Sequence, residues 1–135
     1  MSGRGVAAIW KNAPVPGLHL IADLQGCAAR PLLNDLDALR SLCRRAADAA
    51  SLHCVGELFH PFVDAQGRPQ GVTGVLLLAE SHVALHTWPE RGVVTLDIYV
   101  CNVGADHSAG AQTLLDALVA AFAPAMPRVQ RIVRG

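Results

Sequence analysis

The sequence predicts an α+β fold: a two-layer α/β sandwich, mainly antiparallel sheet with two helices on one face. Three observations lead there. Short apolar or alternating segments of strand length are separated by turns bearing Gly and Pro. Two longer segments repeat their apolar residues every three or four positions. The strands between those helices follow one another through links too short for a parallel crossover, so they form hairpins. With 135 residues, the chain is read as a single domain, 1–135, large enough for one core.

Residues 1–16 mix Gly, Pro and polar residues without periodicity and are expected to form a loose arm. Gly17 to Gln25 reads as a first strand through Leu18, Leu20, Ala22 and Leu24, with Gly26 as its breaker. Asn34 is placed as the N-cap of a helix, with Asp37 near its positive end. Leu32, Leu36, Leu39, Cys43, Ala46 and Ala50 line one face of it; Arg40, Arg44, Arg45 and Asp48 fall off the stripe and read as solvated surface. Leu52 to Phe62 is a second strand that Pro61 should end. Val63 to Gly71, with Asp64, Gly67 and Pro69, is a loop, and Val72 to Ala79 a third strand.

Val83 to Trp88 and Val93 to Val100 are two more strands, joined by Pro89-Glu90-Arg91-Gly92. In the latter, Val94, Leu96, Ile98 and Val100 share one face, and Thr95, Asp97, Tyr99 and Cys101 the other, so Cys101 emerges from the less apolar side. Ser108 is placed as the cap of a second helix whose stripe uses Leu114, Leu115, Leu118, Val119 and Phe122 and which Pro124 ends. Val129 to Val133 closes the chain as a short strand with alternating arginines.

Composition excludes several classes. At 52% hydrophobic and 16% charged residues the chain is too apolar for disorder. A formal net charge of zero argues against a nucleic-acid partner. No apolar run approaches the roughly eighteen residues that span a membrane, and the start lacks a signal-peptide pattern, so a cytoplasmic protein is expected. Cys27, Cys43, Cys54 and Cys101 form no CxxC pair and are read as thiols, the first three as small core residues. A near-neutral, apolar chain of this size is expected to oligomerise.

Chemistry-bearing side chains concentrate in Ala79-Glu80-Ser81-His82-Val83-Ala84-Leu85-His86-Thr87-Trp88-Pro89-Glu90, followed by Cys101. A serine hydroxyl can attack the carbonyl of its own preceding residue, turning the amide into an ester. Removal of the serine α-hydrogen then expels that ester by β-elimination, and the dehydroalanine left behind hydrolyses to a pyruvoyl group and ammonia. Ser81 is either such a group or an ordinary strand-end serine. Thr73, eight residues before Ser81, would share its face in strand register. His86 follows Ser81 by five, an odd spacing that puts the two on opposite faces unless the chain bulges near His82.

His82, His19 and His60 read as satisfied core or surface groups. His82 and His86 could pair on a metal, but no third ligand has suitable spacing, so no metal is expected. Cys101 is either a buried structural thiol or a reactive one; a cysteine hydrolase using Cys101 and His86 lacks an oxyanion-hole motif. Phe62 is either core or a stacking surface.

Glu-Ser-His-x-x-x-His-Thr-Trp-Pro-Glu, with Cys101 twenty residues after Ser81, resembles the short prokaryotic S-adenosylmethionine decarboxylases. The resemblance runs from Gly17 to Gly135 and is strongest from Gly71 to Cys101. It implies self-cleavage between Glu80 and Ser81 into a β chain, 1–80, and an α chain, 81–135. Ser81 would become a covalent pyruvoyl cofactor, which, like pyridoxal phosphate, forms a Schiff base with a substrate amine and accepts the electrons released as carbon dioxide leaves. It implies that His86 is the processing base, that Thr73 stands where the family usually has serine, and that Cys101 returns a proton to the substrate carbon. Glu90 would hold the ribose hydroxyls and Phe62 would stack on adenine.

The implied product supplies aminopropyl groups for spermidine synthesis. The implied partners are S-adenosylmethionine, the chain's own cleaved fragment, and a second heterodimer in a dimer of αβ units. Departures from the family pattern are Cys101-Asn102-Val103 for Cys-Gly-Asp, Gly17-Leu18-His19 for Gly-Arg-His, and a longer segment from Val63 to Gly71. That segment leaves arginine or ornithine as alternative substrates, against which Glu90 and Phe62 argue. A third possibility is an uncut homologue acting as a binding or regulatory partner.

Overall fold

The computed structural model describes residues 13–135, so most of the expected N-terminal arm lies outside the described residues. The elements are β1 (Gly17–Cys27), a short 3-10 turn (Arg30–Asn34), α1 (Leu36–Ala49), β2 (Cys54–Val63), β3 (Pro69–Leu78), β4 (Ser81–Trp88), β5 (Val93–Cys101), α2 (Ser108–Phe122) and β6 (Pro124–Arg134). The six strands form one antiparallel sheet in the order β2-β3-β4-β5-β1-β6, as the hairpin pattern predicts.

Alternation decides which face is covered. Leu18, Leu20, Ala22 and Leu24 of β1 and Val94, Leu96, Ile98 and Val100 of β5 are buried in the core beneath the helices. α2 covers β1 and β5 with Leu114, Leu115, Leu118 and Phe122, and α1, with Leu39 and Cys43, continues the core over β2 and β3. Each such leucine is worth about 2 kcal/mol by burial. The residues between them, His19, Ile21 and Asp23 on β1 and Thr95, Asp97 and Tyr99 on β5, point to the other face, which no helix covers.

Several local expectations are corrected. The N-cap of α1 is Asp35, not Asn34: Pro31 and its neighbours wind into the 3-10 turn, and the helix starts only where extended Asp35 can accept from the Ala38 N–H at 3.0 Å. Ser108 is the first helical residue rather than the cap, which is His107. Gly26, at φ +65°, does not stop β1, which continues to Cys27.

Pro61 does not end β2, because β2 is an edge strand; the register shifts between Pro61 and Val63 and pairing resumes at Val63–Pro69. The loop from Val63 to Gly71 thereby shrinks to residues 64–68. Asp64 folds that loop by accepting from the Gln66 and Arg68 N–H groups and from Arg68 Nε at 2.7 Å; these donors, the Arg68 backbone first, hold its carboxyl below the usual range. β6 is far longer than Val129–Val133.

Cys27 and Cys43 are buried, and burial pushes the Cys43 thiol up to about 12, with Glu57 adding to it. Cys54 is only half-buried and stands at the rim of the core. Arg44 is not merely solvated: it reaches β2 and pairs with Glu57 at 3.0 Å.

Candidate active site at the two ends of one strand

β3 and β4 form a hairpin closed by Ala79 and Glu80, with Leu78 opposite Ser81. Glu80 takes φ +56°, a left-handed conformation without glycine that costs roughly 1–2 kcal/mol. The strain sits immediately before Ser81. The turn is pinned by the Ala79 N–H, which donates to the His53 carbonyl at 3.2 Å.

Ser81 Oγ accepts from the Cys101 N–H at 3.0 Å, which fixes the hydroxyl beside its own peptide link. Cys101 Sγ lies 3.7 Å from Glu80 Oε2, and Cys101 is 7% exposed. Glu80, Ser81 and Cys101 therefore form one cluster where β4 begins and β5 ends. On its helix side Ser81 shares a cavity of about 100 Å³ with Ser51, His53 and His107.

The other end of β4 carries the second cluster. Thr73 and His86 are directly opposed across β3 and β4, and Thr73 Oγ1 hydrogen-bonds His86 Nδ1 at 2.8 Å. Both line a cleft of about 350 Å³ with Phe62, Gln70, Trp88 and Glu90. His60 packs its ring edge-on against Phe62, with centroids 4.9 Å apart. Behind the cleft, buried Thr87 accepts from the Val72 N–H at 2.8 Å and donates to the Leu33 carbonyl at 2.6 Å, tying β4 to β3 and to the 3-10 turn.

The two clusters do not meet within one chain. His86 lies five residues beyond Ser81 along an unbroken strand, a separation of about 16 Å, and on the opposite face. The bulge near His82 that would unite them is absent: the register runs without a shift from His82–Tyr99 to Trp88–Val93. Thr73 and Ser81 likewise do not share a face. The hairpin turn intervenes, Ser81 pairs with Leu78 on the covered side, and Thr73 stands on the open side. Cys101 and His86 are further apart still, about 20 Å along β5, which removes them as a nucleophile–base pair in one chain.

His82 and His86, four residues apart on one straight strand, are about 13 Å from each other and cannot share an ion. His82 stacks on Tyr99 at 5.8 Å and His19 pairs with Asp97 at 3.1 Å. Four residues of the site had no sequence assignment: Gln70 and Trp88 in the cleft, His107 beside Ser81, and Asn102. Trp88 lies inside the motif, and its 44% exposure on a strand facing a cleft marks it. Asn102 braces the turn after Cys101: its amide donates to Ser108 Oγ at 3.0 Å and accepts from the His107 N–H at 2.8 Å.

A six-stranded sheet that places a strained Glu-Ser turn beside a thiol, and a histidine–threonine pair in a cleft, defines a class that comparison with known proteins makes explicit. Residues 18–135 match the S-adenosylmethionine decarboxylase family. The chain is 34% identical over 119 residues to the S-adenosylmethionine decarboxylase proenzyme of Thermococcus onnurineus, covering 88% of this chain and 77% of that one. It is 37% identical over 119 residues to that of Picrophilus torridus, covering 88% and 84%. The crystal structure of the adenosylmethionine decarboxylase from Aquifex aeolicus superposes with a TM-score of 0.77 at 33% identity, covering 91% of this chain and 93% of that one. The chain belongs to the S-adenosylmethionine decarboxylase family.

Proposed function

We propose that this chain is the proenzyme of a pyruvoyl-dependent S-adenosylmethionine decarboxylase, a carboxy-lyase that cuts itself between Glu80 and Ser81. The observation that carries this reading is the hydrogen-bonded cluster of scissile turn, serine and thiol. Strain at Glu80 is relieved if the Glu80–Ser81 link breaks. The Cys101 N–H directed at Ser81 Oγ holds the hydroxyl that would attack the Glu80 carbonyl; that oxygen departs in the new Glu80 carboxylate, and water supplies the keto oxygen on the Ser81 Cα. The pyruvoyl group, once made, supplies the carbonyl that holds the substrate amine and draws off electrons as carbon dioxide departs.

Cys101 is the proton donor in this reading, because its thiol emerges next to Ser81 at the sheet end. Phe62 stacks on adenine and Glu90 accepts from the ribose hydroxyls; that both line one cleft supports a nucleoside over a simple basic amino acid. His86 is the processing base, held by Thr73. In the cell the enzyme would supply decarboxylated S-adenosylmethionine for spermidine synthesis. Among the described residues no helix is long and apolar enough to cross a membrane, and the four free thiols suit the reducing cytoplasm.

Because the clusters lie about 16 Å apart, a complete site needs a second copy whose open sheet face turns the other way. A two-fold arrangement that sets the His86, Thr73, Phe62 and Glu90 end of one copy against the Ser81 and Cys101 end of the other would make two equivalent sites. After cleavage this is a dimer of αβ heterodimers. The deciding experiment is the intact mass of the purified, denatured protein. Fragments 1–80 and 81–135, the second unreactive toward amine reagents, are expected; a single uncut chain that nonetheless decarboxylates S-adenosylmethionine would overturn the pyruvoyl reading.

A further inference from the structure

Glu80 is given above only as the residue at the cut, yet its side chain makes a contact of its own. Its carboxylate receives the Cys101 thiol at 3.7 Å, the closing bond of a ring that runs from Glu80 through Ser81 Oγ and the Cys101 N–H to Sγ. Glu80 is otherwise exposed and enters none of the ion pairs found among the described residues, so nothing else competes for this carboxylate. Resting on the decarboxylase reading, we propose that the Glu80 side chain is a positioning residue: its contact fixes where Cys101 Sγ sits, and so decides which carbon the thiol reprotonates when it turns from Glu80 after carbon dioxide is lost.

The choice matters chemically. Loss of carbon dioxide leaves an electron pair that two carbons can claim, that of the substrate and that of the cofactor ketone. A proton from Cys101 delivered to the substrate carbon gives, after hydrolysis, the amine product and the ketone again. Delivered to the cofactor carbon, it gives an aldehyde from the substrate and an alanine in place of the ketone. Two electrons have then passed from substrate to cofactor, and no outside oxidant is needed. In either case water reprotonates the thiolate. The second course disables the enzyme, so the place of the sulfur relative to the two carbons sets how many turnovers an enzyme lasts. The thiol donates its one proton to Glu80 at rest, and that contact anchors the sulfur until the proton is passed on.

After cleavage Glu80 is a chain end with only Ala79 between it and paired Leu78, a position prone to fray. The hydrogen bond to Cys101 is then also the tether of that end. Glu80→Gln keeps an acceptor oxygen, and Glu80→Ala has none. Mass analysis of the α chain during turnover is expected to show alanine-terminated fragment, newly reactive toward amine reagents. It should accumulate per turnover about tenfold faster in Glu80→Ala than in the parent, the weight of one charge-assisted hydrogen bond. Glu80→Gln, which keeps an acceptor without its charge, should fall between the two.

Equal accumulation in parent and Glu80→Ala overturns the assignment while leaving the pyruvoyl reading intact; a parent that is never cut removes the reading itself. Should Glu80→Ala fail to cleave, the uncut Ser81→Ala chain serves. There, alkylation of Cys101, followed by peptide mapping, is compared for anionic iodoacetate and neutral iodoacetamide. Adding Glu80→Gln should raise the iodoacetate-to-iodoacetamide rate ratio several-fold by removing a repelling carboxylate, and an unchanged ratio overturns the proposal.

Discussion

The two ends of β4 are built on opposite principles. At the His86 end the imidazole and its strand are braced from behind: Thr73 holds the imidazole, and Thr87 bolts the strand to its neighbour and to the 3-10 turn. At the Ser81 end the backbone is strained, the cavity beside the serine is small, and a single N–H fixes the hydroxyl. In the proposed reading one end is preorganised to bind and the other is poised to change covalently. The contrast teaches that rigidity and reactivity need not be mixed in one constellation; a straight strand keeps them apart, and a second copy would join them.

The strongest way to break that comparison is complementation. Ser81→Ala and His86→Ala chains, each expressed alone, should remain uncut. Co-expressed, they should yield cleaved His86→Ala chain, because its Ser81 meets the intact His86 of the other copy. Cleavage in neither sample would return the processing base to the same chain and end the two-copy account. Next in size, Cys101→Ala should still cleave at least partly but lose turnover on the order of a hundredfold or more, the usual worth of a proton donor; kcat of the cleaved fraction measures it. Phe62→Ala belongs to the braced end and should cleave normally while raising KM for S-adenosylmethionine about tenfold, separating binding from processing.

Smaller effects test the bracing itself. Thr87→Val leaves the buried Val72 N–H without its acceptor and should cost about 2 kcal/mol in denaturant unfolding. Asp64 titrates below its ordinary range in the folded chain, so its contribution to stability is present above the unfolded carboxylate pKa and is lost as pH falls through the lower folded value. Asp64→Asn should therefore flatten the melting-temperature curve at its acid end only.

Much of this arrangement can be read from residue order. Alternation in Val93 to Val100 assigns both faces of β5 correctly, and the stripe Leu114, Leu115, Leu118 and Phe122 finds the buried side of α2. Reading fails where geometry depends on something other than local period. Counting from Thr73 to Ser81 carries parity through a turn, and a two-residue turn resets it. Asn34 loses the cap to Asp35 because Pro31 nucleates a tighter turn first. Pro61 reads as a strand end only if the strand is central, and nothing local says that β2 is an edge. Ser81, His86, Cys101, Thr73, Glu90 and Phe62 are legible as types; Gln70 and His107, and the roughly 16 Å between the halves of the site, an outcome of unbroken register, are not.

The strand order has a temporal consequence. The proposed cut after Glu80 would leave β1, β2 and β3 on one fragment and β4, β5 and β6 on the other, yet β1 lies between β5 and β6 in the sheet. Neither fragment owns a contiguous sheet, so neither has a native state to return to by itself. The fold must be completed while the chain is whole, and the cut then erases the instruction that made it. Unfolded afterwards, the pieces face a search that depends on their concentration, where before it depended only on the chain. A protein cut in this way would be held by the history of its folding as well as by its contacts, and its lifetime would be set by how slowly the two pieces separate.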